Sequence, residues 1–188
     1  NYGTITAKEV AGGIVGENKG PVSQCTVDAT IVGNLGTSIA SYGGIVGVSG
    51  IASEKTGDVD AAQITECRFT GSISGVGNNI TAHVGGVVGA NGYNSMVKAS
   101  TVGSKETSVH GGMAGTATYD MSTTNVGGIV GTNYGMVFST DNKAEANGNT
   151  TIDNYLGYTG GIVGCNRKDA IVKGTQTEQI ITADKWYV

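Results

Sequence analysis

A five-residue glycine motif that recurs five times constrains this sequence more than any other feature. Two glycines, an isoleucine or valine, a valine and a third glycine begin at Gly12, Gly43, Gly85, Gly127 and Gly160. These starts are 31, 42, 42 and 33 residues apart. A motif that returns at such intervals is typical of stacked structural units, so the sequence predicts a repeat architecture.

The corners of the repeat are predicted at the glycine pairs and at the asparagine that follows four of the motifs by two residues. These positions are Gly12, Gly13, Asn18, Gly43, Gly44, Gly85, Gly86, Asn91, Gly127, Gly128, Asn133, Gly160, Gly161 and Asn166. Glycine permits a sharp turn with positive φ or the close passage of another segment. Asparagine tolerates left-handed backbone and bonds to an amide stacked above it, so we expect a ladder of side-chain amides. Ser49 replaces asparagine in the second repeat.

Apolar or small residues alternate with polar residues in the segment beyond each motif. The pattern is clear in residues 25–31 and 67–74 and weaker in the later repeats. A period of two predicts half-buried strands, and no segment has helical periodicity. We therefore predict an all-β fold, a β-solenoid built as a right-handed parallel β-helix of about five to six coils. The alternative is an irregular β-roll in which some units are antiparallel hairpins.

Composition excludes several classes of protein. The chain has 33 glycines but one proline, and 38% of its residues are hydrophobic, which argues against collagen and against glycine-rich disorder. Its net charge is −4 and its basic residues are scattered, so we expect no nucleic-acid partner. It contains no long apolar run, so we expect no direct membrane insertion.

Residues 1–188 are predicted to form a single repeat domain. Asn1–Ile5 matches Asn133–Val137, which suggests that the chain starts in the middle of a repeat and is a fragment of a longer protein. Residues 180–188 depart from the repeat and are a candidate C-terminal cap. Gly111–Gly115 resembles a degenerate sixth motif, and the sequence leaves open whether it forms an extra coil or an insertion.

Cysteines and histidines give little support for a chemical site. Cys25 and Cys67 occupy equivalent repeat positions, where buried free thiols are favoured over a geometrically demanding disulfide between coils. His83 and His110 each precede a glycine pair, and we interpret them as surface or turn residues rather than as a metal pair.

No cofactor, metal ion or catalytic residue is predicted. An acidic loop at Glu54, Asp58 and Asp60 lacks the ligand spacing of a calcium loop. The glycine motif lacks the spacing of a nucleotide-binding loop and precedes no helix. Because no catalytic cluster or nucleophile elbow occurs, we expect the chain not to be an enzyme.

Tyrosines are the candidate ligand contacts. Tyr93 and Tyr134 follow the motif by a few residues, near the asparagine corner, and Tyr2 occupies the matching place. Tyr42, Tyr155 and Tyr158 lie just before glycine pairs. Rows of exposed rings stack on sugars or dock a protein partner, but the favoured interpretation is that these rings cap the corners of the stack.

The motif followed by asparagine and a small alternating strand resembles the GLUG-type repeat over nearly the whole chain. This resemblance implies a β-solenoid from an extracellular bacterial setting, on the cell surface or secreted, in adhesins or in non-catalytic regions of immunoglobulin A proteases. The expected function is a non-enzymatic adhesin segment that acts as a stalk, as a surface for a host or matrix protein or glycan, or as both. The alternative is a substrate-positioning or carbohydrate-binding region of a larger secreted protease or glycan-active enzyme. Exposed strand edges at the ends of the stack also suggest end-to-end self-association.

Overall fold

The strands of this chain stack in parallel, as seen in a computed structural model. The structure describes residues 3–33, 39–50, 62–74, 81–103, 107–111, 124–138, 140–143, 151–154, 157–178 and 180–183. Within these ranges all secondary structure is β, and every paired strand runs parallel to its neighbour. This confirms the parallel β-solenoid and rules out the antiparallel roll for the described strands. The right-handed sense of the coil stays a prediction.

Five short strands make one coil. The first coil contains β1 (Thr4–Ala7), β2 (Val10–Gly12), β3 (Val15–Asn18), β4 (Val22–Ser23) and β5 (Thr26–Val27). The second contains β6 (Thr30–Gly33), β7 (Ala40–Gly43), β8 (Val46–Ser49), β9 (Ala62–Thr65) and β10 (Arg68–Phe69). The third contains β11 (Ser72–Ser74), β12 (Ala82–Gly85), β13 (Val88–Asn91), β14 (Ser95–Lys98) and β15 (Thr101–Val102).

The same order continues to the end of the described chain. The fourth coil contains β16 (Ser108–Gly111), β17 (Thr124–Gly127), β18 (Val130–Asn133), β19 (Met136–Phe138) and β20 (Asp141–Lys143). The fifth contains β21 (Thr151–Asn154), β22 (Gly157–Gly160), β23 (Val163–Asn166), β24 (Ile171–Lys173) and β25 (Gln176–Glu178), and β26 (Ile180–Ala183) follows.

Each coil gives one strand to each of five sheets, so equivalent residues form columns. Sheet A contains β1, β6, β11, β16, β21 and β26, and sheets B to E begin with β2, β3, β4 and β5 and take every fifth strand thereafter. The inward columns are aliphatic, as in sheet A, where Ile31, Ile73, Val109 and Ile152 are fully buried. Their burial is the main stabilising contribution to the stack.

The glycine motif lies at the corner between sheets B and C. Its first glycine ends a sheet B strand, its second glycine and the next residue form a bend, and its valine begins a sheet C strand. In the second coil these positions are Gly43, the bend Gly44–Ile45, and Val46, and the Ile45 side chain is fully buried in the core. The motif is therefore the end of one strand and the start of the next, joined by a bend, which places a corner at the glycine pair.

Close approach of the backbone, rather than positive φ, explains why these positions are glycine. None of the described motif glycines has a positive φ. A Cβ on Gly43 would overlap the carbonyl oxygen of Val46, and the first glycine of every other motif has the same conflict. A Cβ on the third glycine Gly89 would lie 2.6 Å from the Tyr42 amide nitrogen and 2.9 Å from the His83 carbonyl oxygen. Sheet B and sheet C thus touch through their backbones.

A second corner, between sheets D and E, does use left-handed backbone. Gln24, Glu66, Ala99 and Gly174 have φ values of 54°, 54°, 50° and 66°. Only the last of these residues is glycine. In the other three coils a residue with a Cβ adopts this left-handed conformation, which is unfavourable by about 1–2 kcal/mol. The Gln24 side-chain amide donates a 3.0 Å hydrogen bond to the Glu66 carboxylate across this column.

The strand register corrects two sequence-based alignments. Thr4 pairs with Thr30 in sheet A, so Asn1–Ile5 does not correspond to Asn133–Val137, which leads into sheet D. Ile180–Ala183 pairs in register with Thr151–Asn154 as another sheet A strand and so continues the repeat, while residues 184–188 lie outside the described residues. These alignments failed because short apolar segments look alike in all five sheets.

Gly111 is not part of a sixth corner motif. It ends a sheet A strand and pairs with Asn154, and the sheet B strand of the same coil ends at Gly127. Residues 112–115 lie outside the described residues.

Alanine substitution of equivalent glycines in an inner and an outer coil tests the backbone contact. Gly89→Ala is expected to lower the free energy of unfolding by about 3 kcal/mol or more, because the new Cβ meets backbone atoms that cannot rotate away. Gly16→Ala is the matched control: it is also the third glycine of its motif, but its Cβ would have no neighbour within 4 Å. Its effect is expected within about 1 kcal/mol. Urea unfolding measures both, and equal losses would contradict the close-approach explanation.

Candidate functional site

An amide ladder runs along the stack where the sheet C strands end. The Asn91 Nδ2 donates a 2.8 Å hydrogen bond to Asn133 Oδ1, and the Asn133 Nδ2 donates a 2.8 Å hydrogen bond to Asn166 Oδ1. Asn91 and Asn133 are fully buried. Asn133 Oδ1 also accepts a hydrogen bond from the Gly135 amide, so each side chain fixes both the stacking of its coil and the turn that follows.

Serine interrupts this ladder in the second coil. The Asn18 Nδ2 donates to Ser49 Oγ at 3.2 Å, and Ser95 Oγ donates to the same oxygen at 2.8 Å. On the other side of Ser49, the buried Asn91 Oδ1 has no hydrogen-bond partner. The shorter serine side chain therefore splits the ladder into two parts.

Backbone hydrogen bonds hold the residues that follow the ladder position in a column, and this residue is glycine in the second and third coils. The amide of Tyr134 donates to the Asn91 carbonyl oxygen at 2.7 Å, and the amide of Arg167 donates to the Asn133 carbonyl oxygen at 2.9 Å. Tyr134 and Arg167 therefore lie one above the other. Lys19 holds the equivalent place in the first coil, directly after Asn18.

Tyr93, Tyr134 and Arg167 form a cluster that we call the aromatic corner. The Tyr93 and Tyr134 ring centroids lie 5.4 Å apart, with an angle of 53° between the ring planes. The Arg167 guanidinium carbon lies 5.7 Å from the centroid of the Tyr134 ring, within cation–π range. Both tyrosines are half-buried and Arg167 is exposed. The structure thus brings the two candidate ligand contacts together and adds a cation to them.

Sequence reasoning missed Arg167, although a signal for it existed. Asn166-Arg167 repeats the order of Asn133-Tyr134, and this shared offset from the motif places both residues in one column. Comparing residues of different chemical type at the same offset would have found the pair.

The other tyrosines do not form one exposed row. Tyr42 is 2% exposed, and its hydroxyl donates a 2.8 Å hydrogen bond to the Lys8 carbonyl oxygen. Burial raises the pKa of Tyr42, and the Glu9 charge adds to this shift. Tyr158 is 57% exposed, whereas Tyr2 and Tyr155 lie outside the described residues. Tyr42 therefore does not belong to an exposed row of rings.

His83 is a buried core residue, which corrects its prediction as a surface or turn histidine. It is 7% exposed, and its Nδ1 lies 2.7 Å from the Thr132 hydroxyl. The Asn125 Nδ2 donates to that hydroxyl at 2.8 Å, so the hydroxyl donates its own proton to an unprotonated Nδ1. His110 lies in sheet A, not in the equivalent sheet B position, so the two histidines do not pair.

This buried environment strongly favours neutral His83. Loss of hydration lowers the pKa of His83 to about 4, and the positive charge of Arg167 acts in the same direction. A hydroxyl this close to an imidazole resembles a nucleophile and its base. Thr132 is fully buried, however, so a substrate has no access to its hydroxyl and the contact is structural.

Cys25 and Cys67 are adjacent in one column and are both free thiols. Cys67 is 1% exposed, and burial raises the pKa of its thiol. Within the described residues, no group of three or more histidine, cysteine or acidic side chains is arranged to hold a metal ion. The acidic loop with Glu54, Asp58 and Asp60 lies outside these residues.

An open groove lies between sheets E and A. It extends over the first three coils and is lined mainly by small and polar residues: Gly3, Asp28, Ala29, Thr30, Thr70, Gly71 and Ser72. Ser72 Oγ donates to Thr30 Oγ1 at 3.4 Å, so the hydroxyls of neighbouring coils bond to each other. The groove has no aromatic side chain, which makes it the natural comparison for the aromatic corner.

Comparison of the chain with protein-family models, curated proteins and solved structures finds no match. In the part of the chain that the structure describes, no helix has the length and apolar character needed to cross a bilayer.

The low pKa of His83 predicts acid-dependent stability. Below its ordinary pKa of 6.5 the unfolded chain binds a proton at His83, while the folded chain stays neutral until about pH 4. Stability contributed by His83 is therefore complete above pH 6.5 and falls as the pH drops towards 4, by about 3 kcal/mol in total. Urea unfolding at several pH values in this range measures the slope.

Two variants identify the source of that slope. His83→Asn introduces the residue type that already occurs at the paired position of the next coil, Asn125. This variant is expected to lose less stability on acidification than the parent chain does. His110→Asn retains His83 and is expected to behave as the parent chain does. If His83→Asn keeps the full slope, burial of neutral His83 does not cause the acid dependence.

Proposed function

We propose that this chain is a non-enzymatic repeat segment of an extracellular bacterial adhesin. The stack acts as a stalk, and the aromatic corner acts as its binding surface for a host or matrix ligand. The observation that carries the proposal is the joining of Tyr93, Tyr134 and Arg167 in one cluster at the surface. Tyrosine and arginine are the residue types that contribute most to binding at protein interfaces.

The frame beneath this cluster supports a binding role. Tyr134 follows the buried Asn133, whose amide bonds to the coils above and below, and its own backbone amide is also bonded. The rings are therefore held in place before a ligand arrives, which reduces the entropy lost on binding. A stalk formed by stacked coils with aligned aliphatic columns presents this cluster at a fixed position.

Carbohydrate binding within a larger secreted protease or glycan-active enzyme is the second candidate. The two half-exposed tyrosine rings favour it, because ring faces pack against the C–H face of a sugar. The sequence of the parent protein separates the candidates. A metalloprotease or glycosidase domain in the same polypeptide favours the accessory role, and a cell-wall anchor favours the adhesin.

Binding assays with two single-site variants test the proposed surface. The parent chain is screened against a glycan array and purified extracellular-matrix proteins. We expect Tyr134→Ala to weaken binding of the ligand found by about tenfold, since it removes the central ring of the aromatic corner. Thr70→Ala alters the groove between sheets E and A and is expected to leave the affinity unchanged.

Three results would contradict the proposal. Binding that survives Tyr134→Ala but is lost in Thr70→Ala would place the contact in the groove. No binding across both panels would leave the corner without a ligand. Turnover of a panel ligand by the purified chain would show that the segment is an enzyme. Thermal unfolding of each variant confirms that the fold is intact.

A further inference from the structure

Arg167 is the charged member of the aromatic corner, and no carboxylate of the described residues forms an ion pair with it. Its guanidinium lies over the Tyr134 ring, and the one ion pair found among the described residues joins Lys19 and Glu17 instead. We propose that the aromatic corner binds a carboxylated sugar, whose carboxylate pairs with Arg167 while the sugar ring packs on Tyr134 and Tyr93. This inference rests on the proposed function and specifies its ligand class.

The cation at this repeat position pairs with a carboxylate in the first coil but not at Arg167. Lys19 occupies the same repeat position as Arg167, and its ammonium lies 2.9 Å from the Glu17 carboxylate. The register of sheet C aligns Glu17 with Val48, Ala90, Thr132 and finally Cys165. The position that supplies the internal carboxylate in the first coil is therefore a cysteine beside Arg167. A ligand carboxylate supplies the negative charge that Glu17 provides in the first coil and that Cys165 does not provide beside Arg167.

The exposed Arg167 guanidinium has the chemistry to recognise a carboxylate. The N–H groups along the edge of a guanidinium form two parallel hydrogen bonds to one carboxylate. The cation–π contact with Tyr134 also limits the conformations of the long Arg167 side chain, so less entropy is lost when the ligand binds. A lysine at this position would provide charge without this fork.

Nearby charges favour an anion at this end of the stack. The chain as a whole has a net charge of −4, which repels anions. Residues 157–175 nevertheless contain Arg167, Lys168 and Lys173 but only one carboxylate, Asp169. All four side chains are exposed. Clustered charge of one sign raises the local concentration of the opposite ion, so this segment attracts an anion, although Asp153 and Glu178 elsewhere in the fifth coil balance its charge over the coil as a whole.

A sugar fits this surface better than an acidic peptide does. A peptide commonly pairs with the backbone of an exposed strand. Here the amides of Tyr134 and Arg167 already bond to the Asn91 and Asn133 carbonyl oxygens. The corner therefore offers two half-buried rings that are tilted by 53° to each other and an exposed cation, rather than backbone donors. Ring faces match the flat C–H surface of a pyranose, and the cation matches its carboxylate.

Calorimetric titration with matched pairs of sugars tests the inference. Sialyllactose is compared with lactose, and an oligogalacturonate is compared with a neutral galactose oligomer of the same length. These arms distinguish the two common sources of a carboxylated pyranose, sialic acid and uronic acid. We expect the parent chain to bind at least one acidic sugar about tenfold more tightly than its neutral partner, and this preference to decrease with added salt.

Variants at the corner separate the guanidinium from general charge. Arg167→Gln is expected to remove the preference for the acidic sugar, and Arg167→Lys to retain only part of it because the planar fork is lost. Tyr134→Ala is expected to weaken binding of acidic and neutral sugars alike. Lys19→Gln is the matched control, since it removes the same unit of charge from the same repeat position in the first coil, and it should leave all affinities unchanged.

Several outcomes would overturn the inference without removing the proposed function. Equal affinity for acidic and neutral sugars would show that Arg167 does not bind the carboxylate. A preference for the acidic sugar that is unchanged in Arg167→Gln would show the same. An equal loss in Lys19→Gln would assign the preference to overall charge. Binding of none of these sugars also overturns it, and Tyr134-dependent binding to a matrix protein would then still support the adhesin proposal.

Discussion

Direct contact between the backbones of sheets B and C is the constraint on which the rest of this structure depends. The third glycine of the motif rests on the strand of the previous coil, where even a single methyl group would meet main-chain atoms, as at Gly89. The first glycine avoids a conflict within its own turn. Because both conditions recur in successive coils, the motif fixes how each coil folds at this corner and how closely it stacks on its neighbour.

This corner determines where side chains of other kinds are found. After it, the Asn91 and Asn133 amides bond from coil to coil, and the residues that follow the ladder position form a column in which Tyr134 and Arg167 are neighbours. The glycines and asparagines are occupied with structural contacts, so they are unsuited to bind a ligand. The side chains free to vary are those of this column, and Tyr134 and Arg167 occur there. The repeated glycines and asparagines thus fix the backbone, whereas residues that differ between coils supply the side chains of the proposed binding surface.

Much of the fold could be predicted from the sequence, because columns of identical residues carry the same information several times. The parallel solenoid and the alternation around Cys67, Phe69 and Ile73 follow from the spacing and from the period of two. The burial of His83 could not be predicted, because it depends on Thr132 in another sheet of the next coil. The contact of Arg167 with Tyr134 and the sheet A position of Gly111 likewise depend on register, which variable segment lengths conceal.

Nuclear Overhauser contacts between neighbouring coils test the central claim most directly, namely that the motif holds successive coils in register at one corner. The account predicts contacts between the methyl groups of Val88 and Val130, and between the side-chain amide protons of Asn91 and the Asn133 side chain, across a separation of 42 residues. A folded chain in which Val88 contacts residues elsewhere in the fourth coil, and in which the Asn91 amide protons exchange rapidly with water, would contradict it.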